Sequence, residues 1–383
     1  MSEVALALVL LVGAALLVRS FVSLSTLDPG FGPQGLLAAR IRLTPARYAT
    51  LSQKRAFFDD VLRRLRTQPG VGAVTLADGP PLSGDVNTVG FDPQSIRPDD
   101  PESFLQIAAT AVGPDFFSTM RIPVLEGRAI TADDREHTKP VCVVSEALAH
   151  ELWPHQDPIG QGGMGRGGDA TVVGVVGDVR GESLERQGWP ALYTPAAQAE
   201  RSRDFDAMWI VIRSAHPLRV VPELRLAVRA EDRTQPIASI STYDAMVQVR
   251  YAGLELMAAL ITLFAGLALV LAVIGIAGVT AYAVAQRTRE LGIRIAMGAR
   301  AVDVVGLLLR ESAALVGIGL VIGLGAALGV TRTLRSLLFG VTSTDPATFA
   351  GAAAALGLVA LLATYLPARR AARVDPVVTL RQE

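Results

Sequence analysis

The sequence has little cysteine, histidine or lysine, and each shortage excludes a class of structure. Its single cysteine, Cys142, lies in the apolar run PVCVVSE, where it cannot form an intrachain disulfide, and we expect a buried strand thiol. Four histidines leave little material for a metal site, and only two of the 36 basic residues are lysines. The formal net charge is zero, so the composition gives no reason to expect a nucleic-acid partner.

Several enzyme motifs are also missing. The chain contains no G-x-S-x-G nucleophile elbow and no G-x-x-x-x-G-K-[ST] phosphate loop, so we do not expect it to hydrolyse ATP itself. Gly163, Gly165 and Gly168 spell G-x-G-x-x-G, but they precede the strand 170–176, which favours a hairpin loop over a dinucleotide site. In HELWPH the second histidine lies at i+5 and Pro154 breaks the helix, which excludes a zinc-protease site. No cofactor is expected.

Apolar residues, in contrast, are abundant: they form 50% of the chain, and the mean hydropathy is +0.38. Three runs, 256–283, 312–330 and 347–366, reach the length of about 20 residues that a membrane span needs. A fourth run, 4–18, is shorter. No positive residue precedes it, as one would in a signal peptide, so we expect an uncleaved first span that is trimmed or mis-started at its beginning.

The arginines predict how these spans are oriented. The loop 286–301 contains four arginines and the tail after Leu366 contains four more, whereas the loop between the last two spans has only Arg332 and Arg335. The loop 286–301 and the tail are therefore expected in the cytoplasm, with the long segment after the first span outside. Arg19, at the outer end of the first span, runs against this rule.

The third and fourth spans are rich in small residues. In the third span, Gly319 and Gly323, then Gly325 and Gly329, have the four-residue spacing of close helix packing. Packing within one bundle and packing against a second subunit both remain open. No charged residue lies in the middle of a span, which argues against an ion-driven carrier.

The long segment between the first two spans contains two strand–helix–strand patterns. The hydrophobic periods indicate strands at 36–44 and 71–77 around a helix at 47–68, then strands at 207–214 and 236–242 around a helix at 217–232. Two such units predict a split ferredoxin-like α+β lobe. The residues between them, about 85–205, are expected to form an inserted second lobe, because VCVVSEALAHELW and ATVVGVVGDVR each contain a buried-strand run.

The segment QRTRELGIRIAMGAR, residues 286–300, is basic and punctuated by glycine. As a helix it would pair Glu290 with Arg294 and Arg287, each pair contributing a few tenths of a kcal/mol. A docking surface for a soluble partner and a solvated topology anchor fit this pattern equally well.

Sequence resemblance favours the docking surface. QRTRELGIRIAMGAR resembles the segment that follows a span in FtsX-like permeases of the macrolide-exporter (MacB-like) ABC type, and YLPARRAARVDPVVTLRQE resembles their closing motif. GPDFFSTMRIPVLEGRAIT and VVGVVGDVRGESLERQGWPALYTP are similar to their external domain. The resemblance covers essentially the whole chain, which is most like the second half of a duplicated eight-span permease, or a fragment of one.

This resemblance implies a membrane protein of four α-helical spans with an external α+β domain. Residues 1–19 would form a first transmembrane helix, residues 20–250 an extracytoplasmic MacB-like domain, and residues 251–383 an FtsX-like permease domain with three transmembrane helices. It also implies which residues transmit force. The ATPase-coupling residues carried over are Arg287, Arg289, Glu290, Gly292, Arg294 and Gly298. The C-terminal cytoplasmic motif beside them comprises Pro367, Arg369 and Arg370.

The implied function is that of a non-catalytic permease subunit of an ABC-type transporter, which passes ATP-driven motion to the external domain for export. The implied partners are a separate ABC ATPase, a second permease unit (in a homodimer or as the other half of a duplicated chain), the lipid of a bacterial inner membrane, and a periplasmic adaptor. A regulator of an external cell-wall hydrolase and a lipoprotein-releasing permease are the alternatives. The external segment of roughly 235 residues favours export over regulation.

Overall fold

The computed structural model describes residues 2–25, 28–91, 105–164, 169–180, 189–199, 205–286, 301–333, 342 and 344–371. The chain divides into two compact units. Residues Asp28–Arg250 form one, here the α/β unit, and Met1–Leu27 with Tyr251–Glu383 form the other, here the helical unit. The domain boundaries given above stay predictions.

The α/β unit contains a ten-stranded mixed sheet. Its strands are β1 (Leu36–Arg42), β2 (Ala73–Ala77), β3 (Thr88–Phe91), β4 (Leu105–Val112), β5 (Val124–Gly127), β6 (Val141–Ser145), β7 (Thr171–Val176), β8 (Ala191–Pro195), β9 (Ala207–Arg213) and β10 (Ile237–Thr242). They lie in the order β10-β1-β9-β2-β4-β8-β6-β7-β5, with β3 paired to β4. The helices are α2 (Leu51–Arg66), α3 (Phe116–Met120), α4 (Glu146–Leu152) and α5 (Val221–Glu231). The first helix of the chain, α1 (Ser2–Ser25), belongs to the helical unit.

The first half of this sheet confirms the predicted ferredoxin-like lobe. Strands β10, β1, β9 and β2 are antiparallel neighbours, and α2 and α5 connect β1 to β2 and β9 to β10. Helix α2 begins later than expected, at Leu51 instead of residue 47. Thr50 and Gln53 form a reciprocal capping box there, which fixes the first turn.

Both faces of this lobe are covered. Leu37, Ala39 and Ile41 of β1 face the cluster that contains Phe58 of α2 and Leu224 of α5. Ala38 and Arg40, which alternate with these residues along β1, point to the other face of the sheet, where α3 packs against β2 and β9. Burial on both sides explains why AMWIVIR is apolar without alternation.

The inserted lobe continues the same sheet. It is joined at the single pair Ala77–Val112 between β2 and β4, and β4–β8 and β6–β7 are parallel pairs. Its core packs α4 against the sheet and includes Cys142, which is fully buried. Burial raises the pKa of the Cys142 thiol to about 12, so the expected buried strand thiol is confirmed.

Among the described residues of the helical unit, four helices are long and apolar enough to cross a membrane: α1 (Ser2–Ser25), α6 (Tyr243–Gln286, which begins in the α/β unit), α7 (Ala301–Thr333) and α8 (Pro346–Ala371). The four predicted spans are thus confirmed. The first is longer than its apolar run suggested. Helix α1 has 24 residues, because it continues beyond Arg19 through SFVSLS, and about 36 Å of helix suffices to cross a hydrocarbon core.

The four helices are buried to different degrees. In the apolar stretch Glu3–Ser20 of α1, 56% of the residues are buried within the chain, against 11% in Glu255–Val279 of α6. A shared apolar core includes Leu8 and Leu16 of α1, Val316 of α7, and Phe349 and Leu356 of α8. Helix α6 therefore presents most of its apolar surface to whatever surrounds the chain.

Candidate functional site

Residues 287–300, here the coupling segment, lie outside the described residues. All six residues predicted to contact an ATPase belong to this segment. The helices on either side of it are described. Helix α6 ends at Gln286, whose amide Nε2 donates to the hydroxyl of Tyr282 at 2.7 Å, and α7 begins at Ala301. The segment thus links two long apolar helices directly.

The C-terminal motif lies on the last helix. Helix α8 contains Pro367, Arg369 and Arg370. Its membrane-spanning stretch ends at Tyr365, and the helix continues to Ala371. If each helix crosses the membrane once, the end of α6, the start of α7 and the end of α8 lie on one side. The two predicted cytoplasmic motifs would then share that side.

The two glycine pairs of α7 have different surroundings. Gly319 and Gly323 are buried, and a Cβ built on Gly323 would lie 3.0 Å from Ala5 Cα and from Leu8 Cδ2 of α1. Gly325 and Gly329 are exposed, and a Cβ on either meets no other atom of the described chain within 4 Å. Gly323 therefore lies against α1, whereas Gly325 and Gly329 have open space beside them.

Arg19, which runs against the charge rule, has an acidic partner. Its Nη1 contacts Asp345 Oδ2 and lies 3.4 Å from the hydroxyl of Thr348. Asp345 precedes α8 and accepts the Thr348 backbone N–H at 2.9 Å. The side-chain and backbone hydrogen bonds of Thr348, together with Arg19, hold the pKa of Asp345 below its ordinary value. This contact joins the outer ends of α1 and α8, a link the sequence alone did not indicate.

In the α/β unit, Arg213 joins three segments. Its guanidinium donates to the carbonyl oxygens of Thr119 at 2.5 Å, Gln34 at 2.8 Å and Gly32 at 2.7 Å. Burial and the nearby Arg121 lower its pKa. One side chain thus ties β9 to the end of α3 and to the segment that enters β1.

A second cluster holds the loop between β2 and β3. Asp85 accepts a hydrogen bond from Trp209 Nε1 at 2.8 Å and pairs with Arg40 Nη2 at 3.0 Å. Arg40 and Trp209 are cross-strand partners on β1 and β9, and the guanidinium lies 5.8 Å from the ring centroid. No group of three or more His, Cys, Asp or Glu residues suited to a metal ion occurs in the part of the chain that the structure describes.

Two known protein families match successive parts of the chain. Residues 4–241 match the MacB-like periplasmic core domain, and residues 262–376 match the FtsX-like permease C-terminal domain. The first match alone covers more than half of the chain. The chain belongs to the MacB-like family of ABC transporter permeases.

Several curated relatives of this MacB-like chain are export proteins. It is 27% identical over 282 residues to the macrolide export ATP-binding/permease protein MacB of Chromobacterium violaceum, covering 71% of this chain and 43% of that protein. It is 28% identical over 267 residues to the pyoverdine export protein PvdT of Pseudomonas savastanoi pv. phaseolicola, covering 68% and 40%. With MacB of Rhodospirillum rubrum it shares 27% identity over 372 residues, covering 85% and 54%. The chain thus spans about half the length of these relatives, or less.

Two solved structures are similar to the MacB-like chain. The extracellular domain of the noncanonical ABC-type transporter YknZ from Gram-positive bacteria aligns at 15% identity and a TM-score of 0.36, covering 53% of this chain and 100% of that one. The periplasmic region of MacB from Actinobacillus actinomycetemcomitans aligns at 15% identity and a TM-score of 0.38, covering 59% and 97%. At these scores neither likeness bears on function.

Proposed function

We propose that this MacB-like chain is a non-catalytic permease unit that passes motion from a separate ABC ATPase to an α/β unit outside the membrane, for export. The observation that supports this most is the order of the two family matches on one chain, a periplasmic core domain followed by a permease domain. The α/β unit is also connected to the second span without a loop, because β10 ends at Thr242 and α6 begins at Tyr243.

The proposed ATPase contact is the segment between α6 and α7. It contains Arg287, Arg289, Glu290 and Arg294, and charged side chains flanked by apolar ones suit a surface that a soluble partner covers. The 383 residues contain no nucleotide-binding loop, so the ATP would be hydrolysed on a different domain.

The experiment replaces Glu290 and Arg294 together with alanine in the full chain, reconstituted with its ATPase. Transport should fall by at least about tenfold while membrane insertion is unchanged, because two charged contacts of the interface are lost. A matched control removes the exposed i, i+3 pair Asp60–Arg63 of α2 in the same way. Transport that is unaffected by the Glu290/Arg294 substitution would count against the coupling role.

The remaining partners follow from the same proposal. A second permease unit, in a homodimer or as another half of a longer chain, would pack in the membrane, and the exposed pair Gly325 and Gly329 on α7 offers a close-contact face. The arginine-rich loop and tail support an inner-membrane location with the α/β unit outside, where an adaptor could contact it. Loss of dimer cross-linking in Gly325→Leu and Gly329→Leu would support this face, and unchanged cross-linking would exclude it.

Two results would favour the alternative functions over export. A regulator of a cell-wall hydrolase would co-purify with that hydrolase, and a lipoprotein-releasing permease would carry bound lipoprotein. Recovery of an outer-membrane channel or adaptor with the chain would support export.

A further inference from the structure

A cleft of about 480 Å³, counted to its open mouth, lies on one face of the sheet in the α/β unit. Its floor follows the strand register: Thr88, Ala108 and Ala191 are cross-strand neighbours on β3, β4 and β8, and Thr110 is opposite Tyr193 in the next row. Pro81 and other residues of the β2–β3 loop line one side, and Trp189 lines the other.

The empty volume arises from small floor residues. Because successive side chains of a strand point to opposite faces, Ile107 and Leu192 of the same two strands point away from the cleft, into the core around Cys142. The strands thus present large apolar side chains to the core and two alanines to the cleft.

The wall formed by the β2–β3 loop is fixed at both ends. At one end, Asp78 accepts the backbone N–H of Ala111 at 2.9 Å and the side-chain amide of Asn87 at 3.1 Å. At the other, Asp85 is held by Arg40 and Trp209. The cleft is therefore formed before any ligand arrives, as ligand sites usually are.

The inner end of the cleft is also rigid. The ring of Tyr193 lies 5.1 Å from that of Phe117, edge to face, and 6.1 Å from that of Phe116. Burial raises the pKa of the Tyr193 phenol, so the group stays neutral at physiological pH.

The lining chemistry indicates the kind of ligand. None of the described residues that line the cleft carries a charge, and threonine hydroxyls supply hydrogen bonds beside an indole and a phenol ring. An added peptide strand is disfavoured, because β4 and β8 already have neighbours on both sides and offer no free edge.

We propose that this cleft binds the uncharged, apolar part of a small amphipathic molecule, such as an aromatic ring system, which lies on the alanine floor beside Trp189. The site is independent of the proposed ATPase coupling. It would exist in a chain that transmits no motion at all.

The test uses the full chain in phospholipid nanodiscs, labelled with 5-fluorotryptophan, and 2-naphthol as a soluble uncharged probe. The chain has three tryptophans. Trp153 is buried in the core on the opposite face of the sheet and serves as the internal control, whereas Trp209 is hydrogen-bonded to Asp85 of the cleft wall. Fluorine NMR should show a saturable shift of the Trp189 resonance, assigned with Trp189→Phe, and little change in the Trp153 resonance.

A matched pair of variants locates the binding. Ala108→Leu fills the floor and should weaken the probe's apparent affinity by at least about tenfold, whereas Ala109→Leu, on the opposite face of β4, should change it by less than about twofold. An unchanged Trp153 resonance shows that each variant is folded. The absence of a saturable Trp189 shift, equal shifts of the Trp189 and Trp153 resonances, or full binding by Ala108→Leu would each overturn the proposal. None of these results bears on transport coupling.

Discussion

The α/β unit and the helical unit are stabilised in different ways. In the α/β unit, the half-buried Arg213 donates to three backbone carbonyls, and the buried Asp232 accepts from several backbone and side-chain groups. In the described part of the helical unit, the contacts are mainly apolar, with small residues where helices approach closely. Consequently the α/β unit should be sensitive to the loss of single polar groups and the helical unit to added volume.

Removal of Arg213 should have the largest effect. Arg213→Leu leaves the carbonyl oxygens of Gly32, Gln34 and Thr119 without their donor. Hydrogen bonds to charged groups contribute about 1.5–3 kcal/mol each, but Arg213 is only half-buried and water replaces part of what is lost, so we expect a total loss of about 3 kcal/mol. Denaturant unfolding followed by tryptophan fluorescence measures it. Arg219→Leu, at an exposed position, is the control and should change stability by less than about 0.5 kcal/mol. Equal stability of the two variants would show that the α/β unit does not depend on the polar contacts of Arg213.

Added volume should destabilise the helical unit at one glycine and not at another. Gly323→Leu would clash with Ala5 and Leu8 of α1 and should cost about 2 kcal/mol. Gly351→Leu, at an exposed position of α8, has open space and should be neutral or slightly stabilising, because leucine favours helix more than glycine does by about 1 kcal/mol. Thermal unfolding of the chain in nanodiscs distinguishes them, and similar losses in both would show that the α1–α7 contact is wrong.

The sequence predicted the regular elements of both units and missed their polar connections. Periodicity indicated both strand–helix–strand units, and the apolar runs indicated four spans. The contacts of Arg213, Asp85 and Arg19 could not be predicted, because their partners lie far away along the chain: Arg213 and Gly32 are 181 positions apart, Asp85 and Trp209 are 124, and Arg19 and Asp345 are 326. Nothing local marks such a partner.

The cleft was missed for a similar reason. Ala108 and Ala191 are unremarkable in sequence, and only the parallel register of β4 and β8 brings them together. The predicted coupling segment remains a prediction from resemblance, since its residues lie outside those that the structure describes.

Acid should reveal the buried carboxylate of the α/β unit. Burial alone would raise the pKa of Asp232, but hydrogen bonds from Thr234 and Tyr48, and the nearby Arg47, hold it below its ordinary value. Its stabilising contribution is therefore complete above the unfolded pKa of about 3.9 and is lost as the pH falls through the lower folded value. Asp232→Asn should lower stability at pH 7 by about 1 kcal/mol and lose less further stability in acid. Asp133→Asn, at an exposed carboxylate, is the control, and parallel acid profiles for wild type and Asp232→Asn would contradict the assignment.

The Arg19–Asp345 contact should give the smallest effect. Asparagine can replace aspartate at a helix N-cap, so Asp345→Asn removes the charge and keeps the cap, whereas Asp345→Ala removes both. We expect only Asp345→Ala to lower the melting temperature of the helical unit measurably. A large loss in Asp345→Asn would show that the helical unit, too, depends on single ionic contacts.

We propose that motion passes from an ATPase through residues 287–298 to the α/β unit. Hydrogen exchange of the α/β unit in the reconstituted complex, with and without ATP, measures this step. We expect ATP to change exchange in the wild-type chain and to leave it unchanged in the Glu290→Ala/Arg294→Ala variant, while the partner still hydrolyses ATP. The same ATP-dependent change in the variant would contradict the account.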